Sequence, residues 1–373
     1  MTERQNLKVA VIGCGRVAGH HLKSIASVDG AEIAAACDLV EDRARAFGDE
    51  YDIPFFTSYH DMLTALPEID LVAVVTPSGM HYEHATEVME RYGKHVIVEK
   101  PTFMRPEQEV AAYKTADRLG LHLFPVFQNR YNRAVARVRS ALADGELGDI
   151  RLVSVRVRWC RPQRYYDLAP WRGTFSHDGG ALTNQGIHHV DLLRHLGGEV
   201  GRVNCSMRTL GAEIEVEDAL VATLEYESGA IATVEVTTAA RPDDFEASIS
   251  IVGSEGLAQI GGIAVNELQI FTPNPEDCAA NSEDFIGIEG HGAVYGYGHA
   301  GMYADIVRFF ADGTPYPVSR EDCLATLRLL HAFYRSDEAD GWAMVDTGEQ
   351  SARLGRPDEV ISALYRTPSP HGN

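Results

Sequence analysis

The chain has 373 residues, 45% of them hydrophobic, and a formal net charge of -21. That length suits two domains, that apolar content fills a sizeable core, and that acidity disfavours nucleic acid and anionic membrane as partners. No apolar run approaches the roughly 20 residues that span a bilayer. The N-terminus enters a strand without a signal-peptide core, so a cytoplasmic protein is expected. Cys14, Cys37, Cys160, Cys205, Cys278 and Cys323 are scattered with no C-x-x-C pair, which points to reduced thiols and not to a disulfide frame or zinc site.

Residues 1–127 alternate short apolar runs with amphipathic stretches. Strands are expected at 8–12, 32–37, 71–75, 95–99 and 122–127, and helices at 17–28, 41–50, 59–65, 81–91 and 106–119. Strands alternating with helices imply right-handed βαβ units and a parallel sheet. The first strand runs straight into Gly13-Cys14-Gly15-Arg16-Val17-Ala18. In this G-x-G-x-x-A pattern Gly13 permits a tight turn, Gly15 lets backbone approach a pyrophosphate, and Ala18 allows close helix–strand packing. The pyrophosphate then sits on a helix N-terminus. The second strand ends at Asp38, 20 residues after Ala18. A carboxylate there bonds ribose hydroxyls and repels a 2′-phosphate, which favours NAD over NADP, with Arg43 as a nearby opposing charge.

The strand at 95–99 ends in Glu99-Lys100-Pro101. A residue before proline is pushed toward extended geometry, so the Lys100 ammonium projects from the carboxyl end of a strand, where open α/β sheets bind ligands. From residue 152 the pattern changes. Val153, Val155, Val157 and Trp159 alternate with Ser154, Arg156 and Arg158, as in a half-buried strand. Further strands are expected at 220–226, 230–237, 247–252 and 268–271, in an antiparallel sheet, followed by helices at 301–311 and 321–336. The expected division is a cofactor domain at 1–127, a substrate-binding and oligomerisation α+β domain at 128–366, and a disordered tail at 367–373. An open sheet should bury one face against a partner subunit, so a homodimer or homotetramer is expected. Between Arg151 and Arg172 stand six arginines and one acid, Asp167. Arginine forks match phosphate and carboxylate groups. His81 and His84 lack an evident third ligand, so no metal is expected.

Val75-Thr76-Pro77-Ser78, His81, Gly93-Lys94-His95-Val96 and Glu99-Lys100-Pro101 together resemble the Gfo/Idh/MocA oxidoreductases, and the likeness runs to about Ser336. The resemblance implies an α/β fold class: an N-terminal Rossmann domain and a C-terminal α+β domain with a large open, mainly antiparallel sheet. The family's second signature falls at 178–191, with Asn184 where many members have Asp, then His188 and Asp191. Spacing of i, i+4 and i+7 puts these three on one face if the helix starts that early. Arg158-Trp159-Cys160-Arg161, Tyr165-Tyr166-Asp167, Trp171-Arg172-Gly173-Thr174 and residues 295–299 are similar to the branch that oxidises C3 of nucleotide-linked sugars.

What the resemblance implies about roles is as follows. His188 suits a general base and Lys100 suits stabilisation of a developing alkoxide, with the choice of proton acceptor between them left open. Asn184 would orient a sugar hydroxyl, and Asp191 would hold the imidazole in one tautomer. Cofactor contacts are expected from Gly13, Gly15, Arg16, Val17, Ala18, Asp38, Arg43, Thr76, Pro77, Ser78, His81, Glu99, Lys100, Gln128, Trp171 and Arg172. Substrate contacts are expected from Arg158, Arg161, Tyr165, Asn184, Tyr297 and His299. The expected activity is NAD-dependent oxidation of a ring hydroxyl of a nucleotide sugar. The alternatives are a dehydrogenase of a free sugar or inositol, an NAD-dependent glycosidase, and a non-catalytic NAD-binding regulator.

Overall fold

The computed structural model describes residues 6–285 and 296–368, and the chain divides into two compact units. The first takes the chain up to Val126, then His299–Leu324 and everything from Pro357 onward. The second takes Phe127–Gly298 and Ala325–Arg356.

The first unit begins with β1 (Leu7–Ile12), α1 (Ala18–Ser27), β2 (Ala31–Cys37), α2 (Glu41–Tyr51), β3 (Phe55–Phe56), α3 (Tyr59–Ala65), β4 (Leu71–Val74), α4 (His81–Tyr92), β5 (His95–Val98), α5 (Pro106–Leu119) and β6 (Leu123–Pro125). Its six strands lie in the order β3-β2-β1-β4-β5-β6, all parallel. Strand order reverses between β1 and β4, the place where doubly wound folds take a dinucleotide. The strands read as unbroken apolar runs because both faces are covered: Val9, Ala10, Val11, Leu71, Val72, Ala73 and Val74 are all at 0% exposure. Each of the valine and leucine side chains contributes about 1.5–3 kcal/mol of burial, and the alanines less. Helix ends follow local chemistry. Pro106 opens α5, and Gly120, at φ 67°, closes it in the left-handed region.

The second unit holds α6 (Arg133–Ala143), β7 (Ile150–Arg158), α7 (Gln163–Tyr166), α8 (Ile187–Gly197), β8 (Val200–Arg208), β9 (Ala219–Tyr226), β10 (Ile231–Thr237), β11 (Glu246–Gly253), β12 (Leu257–Gly261), β13 (Glu267–Phe271) and α9 (Asp277–Ala280). After α10 (Gly298–Asp312) and α11 (Arg320–Ala339) come β14 (Ala343–Met344) and α12 (Glu359–Ala363). The eight-stranded sheet runs β13-β12-β11-β7-β10-β9-β8-β14. Only β7 and β10 pair in parallel. The sheet is therefore mainly antiparallel, as expected. Sequence reading passes over β8, although Val203, Cys205 and Met207 are buried in alternation with Asn204, Ser206 and Arg208.

The expected division into consecutive halves needs correction. Residues 299–324 and the stretch from Pro357 belong with the first unit. Phe309 meets His122 at a ring separation of 4.5 Å, and Phe310 meets Phe124 at 5.8 Å. The Tyr316 hydroxyl donates to the Pro125 carbonyl at 2.9 Å. Arg366 pairs with Glu83 on α4. An amphipathic helix carries no mark of which apolar surface it will cover, so chain order misled. Of the tail at 367–373, Thr367 and Pro368 are irregular backbone and the rest lies outside the described residues. The six cysteines are free thiols. Among the described residues no helix is long and apolar enough to cross a membrane.

Candidate active site

The glycine loop between β1 and α1 is built for close approach. Gly13 has φ +95°, and a Cβ there would stand 2.5 Å from the Val75 carbonyl oxygen. Glycine thus lets the loop lie against the backbone that leads into Thr76. Gly15 is exposed, with nothing within 4 Å of where its Cβ would be. Val17 caps α1 without a side-chain bond, Ala18 is fully buried, and the first turn has no acid. The Ala18 and His20 amides turn back onto the Gly15 and Val17 carbonyls at 3.2 and 3.0 Å, and the positive end of the helix dipole remains to favour an anion. The Asp38 carboxylate accepts from the Cys14 and Val40 amides, each at 2.8 Å. Each oxygen keeps a lone pair for a ribose hydroxyl. Burial, reinforced by Asp38, pushes the Cys14 thiol up to about 12, so it adds no negative charge beside the loop. Arg16 and Arg43 are exposed. These residues fit NAD.

Thr76, Pro77 and Ser78 lead from β4 into a short turn at Ser78–Met80. His81, 1% exposed, sits between two carbonyls: its Nδ1 is 2.8 Å from Pro101 O and its Nε2 is 2.8 Å from Thr76 O. It braces two loops, so the expectation of a direct cofactor contact is corrected. Glu99 and His299 need the same correction. Glu99 Oε1 receives His21 Nε2 at 2.9 Å and His299 Nε2 at 3.3 Å, and Oε2 accepts the Lys100 amide at 3.0 Å. Burial would push the Glu99 carboxyl up, but the hydrogen bonds from His21 and His299 hold it well below the usual range. His299 is 1% exposed and does not face a substrate. The three donor atoms of His21, Glu99 and His299 lie within 4.8 Å of one another. Both histidine nitrogens stand at hydrogen-bond distance of the Glu99 carboxylate, which ties the three side chains into one trio. Lys100 follows, half-buried, at the carboxyl end of β5.

In the second unit, the signature at 178–191 is not one helix. Residues Ala181–Gln185 form a π-type turn, Gly186 intervenes, and α8 starts at Ile187. Asn184 is therefore not on the His188 face of α8, and its amide donates to Asp178. Glu217, which sequence reading missed, pins this turn by accepting from the Leu182 amide at 3.0 Å and the Tyr334 hydroxyl at 2.9 Å. Burial pushes the Glu217 carboxyl up to about 8. The pair Gly179-Gly180 was the available signal, since a Cβ on Gly180 would stand 2.1 Å from the Glu217 carboxylate.

Asp191 does not serve as the expected partner of the His188 ring. Its carboxylate takes both prongs of Arg130, at 2.8 and 2.6 Å, and accepts from Thr326. His188 Nε2 instead meets the Gln128 amide at 2.9 Å. Gln128 is 2% exposed and acts on the imidazole, where a cofactor contact was expected. Gln128 Oε1 has no hydrogen-bond partner. Turning the amide by 180° brings that oxygen onto Nε2–H and leaves Nδ1 as the basic nitrogen.

The arginine-rich stretch separates into two kinds. Arg158 forks onto Glu235 at 2.6 and 2.8 Å and reaches Glu246 at 3.1 Å. Arg161 binds Asp244 at 2.7 Å. Both expected substrate contacts are thus taken by carboxylates of the chain itself, which spacing along the sequence does not reveal. Arg172 differs. Its guanidinium lies over the Tyr165 ring at 4.4 Å and the Trp171 ring at 4.6 Å, and its buried Nε has no hydrogen-bond partner. Among the described residues no carboxylate pairs with it. Tyr165 also accepts from Gln185 at 3.2 Å. Tyr297 is 56% exposed beside Phe285.

Comparison with known proteins agrees with this layout. Residues 7–127 match the oxidoreductase family NAD-binding Rossmann fold, and residues 135–259 match the GFO/IDH/MocA C-terminal domain. The crystal structure of the WlbA dehydrogenase from Bordetella pertussis, in complex with NADH and UDP-GlcNAcA, superposes with a TM-score of 0.82 at 36% identity, covering 92% of this chain and 99% of that one. D-glucoside 3-dehydrogenase of Escherichia coli is 31% identical over 256 residues, 62% of this chain and 70% of that protein. The NAD(+)-dependent scyllo-inositol 2-dehydrogenase of Bacillus subtilis is 27% identical over 278 residues, 71% of this chain and 77% of that protein. With both of its domains matched in order along the chain, this protein belongs to the Gfo/Idh/MocA family of NAD-dependent oxidoreductases.

Proposed function

We propose that this protein oxidises a ring hydroxyl, at C3, of a nucleotide-linked sugar. The observation that carries the reading is Arg172, a guanidinium stacked by Tyr165 and Trp171 with no carboxylate on it among the described residues. Such a group suits a substrate phosphate or carboxylate. A neutral inositol or free sugar offers it hydroxyl acceptors but no counter-charge. The likeness to the WlbA dehydrogenase, whose structure holds UDP-GlcNAcA, supports the same class.

When bound, NAD accepts the hydride from the sugar carbon. The chain's own residues do the rest. His188, its ring fixed by Gln128, removes the hydroxyl proton. Lys100 donates to the oxygen as negative charge develops on it. Asp38 selects NAD through the ribose. Asn184 remains a proposed contact to a sugar hydroxyl through its carbonyl. Assembly as a homodimer or homotetramer belongs to the same proposal. Val221 and Ile231 share an open sheet face at 58% and 54% exposure, as a subunit interface would require. The test is a panel of UDP- and dTDP-sugars, with and without a uronate carboxylate, incubated with NAD while NADH absorbance is followed. NADH formation with an anionic nucleotide sugar supports the reading. Turnover of free sugars or inositols alone overturns it.

A further inference from the structure

We infer that His21, Glu99 and His299 form a positioning set for Lys100: they hold a carboxylate at its backbone amide, fix the end of β5, and keep the lysine a charged donor and not a base. This rests on the proposed role of Lys100 and decides which of Lys100 and His188 takes the proton.

The hydrogen-bond count carries the argument. Glu99 accepts N–H groups from His21 Nε2, His299 Nε2 and the Lys100 backbone. An ionised carboxylate has lone pairs for all three, whereas a protonated one spends part of its capacity on its own O–H. His21 must then carry its hydrogen on Nε2. Its Nδ1 stands 2.7 Å from the Tyr303 hydroxyl, which ties the ring at its other edge. The side chains of His21, His299 and Glu99 are at most 5% exposed, so water does not share these bonds.

The titratable groups around Glu99 come from three helices, and Lys100 follows it directly in the chain. From α1, His20 stacks on His299 at 6.3 Å, and burial depresses it to about 4. From α4, His81 is depressed by burial, with the Lys100 charge opposing its protonation. From α10, His299 is likewise depressed by burial, with Lys100 again opposing. Tyr303 is pushed well up by burial. Lys23 is exposed and acts on His20. Burial thus disfavours the charged form of His20, His81 and His299, while the Glu99 carboxyl is held in its ionised form. A lysine that acts as a base needs its ammonium destabilised, and a fixed anion at its own peptide does the reverse. Lys100 thus supplies charge to the oxygen, and the proton goes to His188.

The test is competitive acetylation of the full-length protein across pH, without NAD or sugar, read at Lys100 by peptide mass spectrometry. In the wild type Lys100 should titrate at or above the ordinary lysine value of roughly 10.4. In E99Q the midpoint should fall by about one unit, so that labelling at neutral pH rises about tenfold. The same variant should lose on the order of 10²-fold in kcat, with NAD Kd and substrate KM moving less than about threefold. H299N, which removes one donor and keeps the charge, should show a smaller shift in the same direction. A wild-type midpoint well below the ordinary lysine range overturns the inference, as does a folded E99Q with an unchanged Lys100 profile. If E99Q does not fold, the wild-type midpoint and H299N decide. Absence of turnover with every nucleotide sugar would defeat the proposed function alone, because the labelling needs no substrate.

Discussion

Glu99 in the first unit and Arg172 in the second are both shielded ionic groups, and the chain treats them in opposite ways. Glu99 receives three N–H groups from its own unit. Arg172 is covered by two aromatic rings and given no counter-charge among the described residues. Arg158, at the end of β7, is satisfied within the chain as Glu99 is, with its fork on Glu235. Shielding an ion costs solvation, and hydrogen bonds within the protein offset that cost for Glu99 and Arg158. For Arg172 the proposed substrate anion would supply that offset. Satisfied ions of this kind are architecture, and an unsatisfied one is a place to bind.

The largest expected effect tests the first corner. K100M should lower kcat by on the order of 10³-fold while leaving NAD Kd, read by fluorescence titration, within about twofold. Unchanged turnover would remove Lys100 from the chemistry. Next comes the second corner. R172M should raise KM for an anionic nucleotide sugar by about 10–100-fold, the loss of a charge-assisted pair. An equal loss with a neutral substrate would show that Arg172 acts through packing.

A smaller effect concerns the buried acids. Burial raises the carboxyls of Glu217 and Glu109 from 4.5 to about 8. The folded state therefore keeps protons that the unfolded chain releases. Their contribution to stability is full below about 4.5 and is lost as pH rises through about 8. E217Q and E109Q should each flatten the fall in unfolding temperature across that window, by at most about 1.4 kcal/mol per pH unit. Calorimetry giving parallel wild-type and variant curves would show that these acids ionise in the fold. The smallest effect is R158Q. With its fork spent on Glu235, KM should stay within about twofold. A change as large as that of R172M would erase the distinction between the two arginines.

Much of the first unit was legible because its chemistry is local. A strand, a glycine loop, a helix start and Asp38 follow one another within a short stretch, and each has one physical reading. Lys100 was legible for the same reason, as a strand-end lysine fixed by Pro101. The partners were not. His81 carries a family signature, yet its ring bridges Thr76 and Pro101, and only the fold brings those carbonyls together. His299 lies 200 residues from Glu99 and meets it at 3.3 Å. Asn184 was misplaced because helical spacing cannot foresee a π-type turn held by Glu217. Arg158 and Arg161 looked like ligand contacts because their acids stand on other strands or loops.

The broken course of the first unit has a consequence for how the protein is made. Its parallel sheet is complete in sequence by Pro125, but His299, Tyr303 and the aromatic cover of α10 are synthesised far later. At about 5–20 residues per second, the ribosome leaves that gap open for several seconds to tens of seconds. During this time Glu99 lacks one of its donors, and Phe124 and His122 lie bare. The hydrogen bonds around Glu99, next to Lys100, can be completed only after His299 has been made.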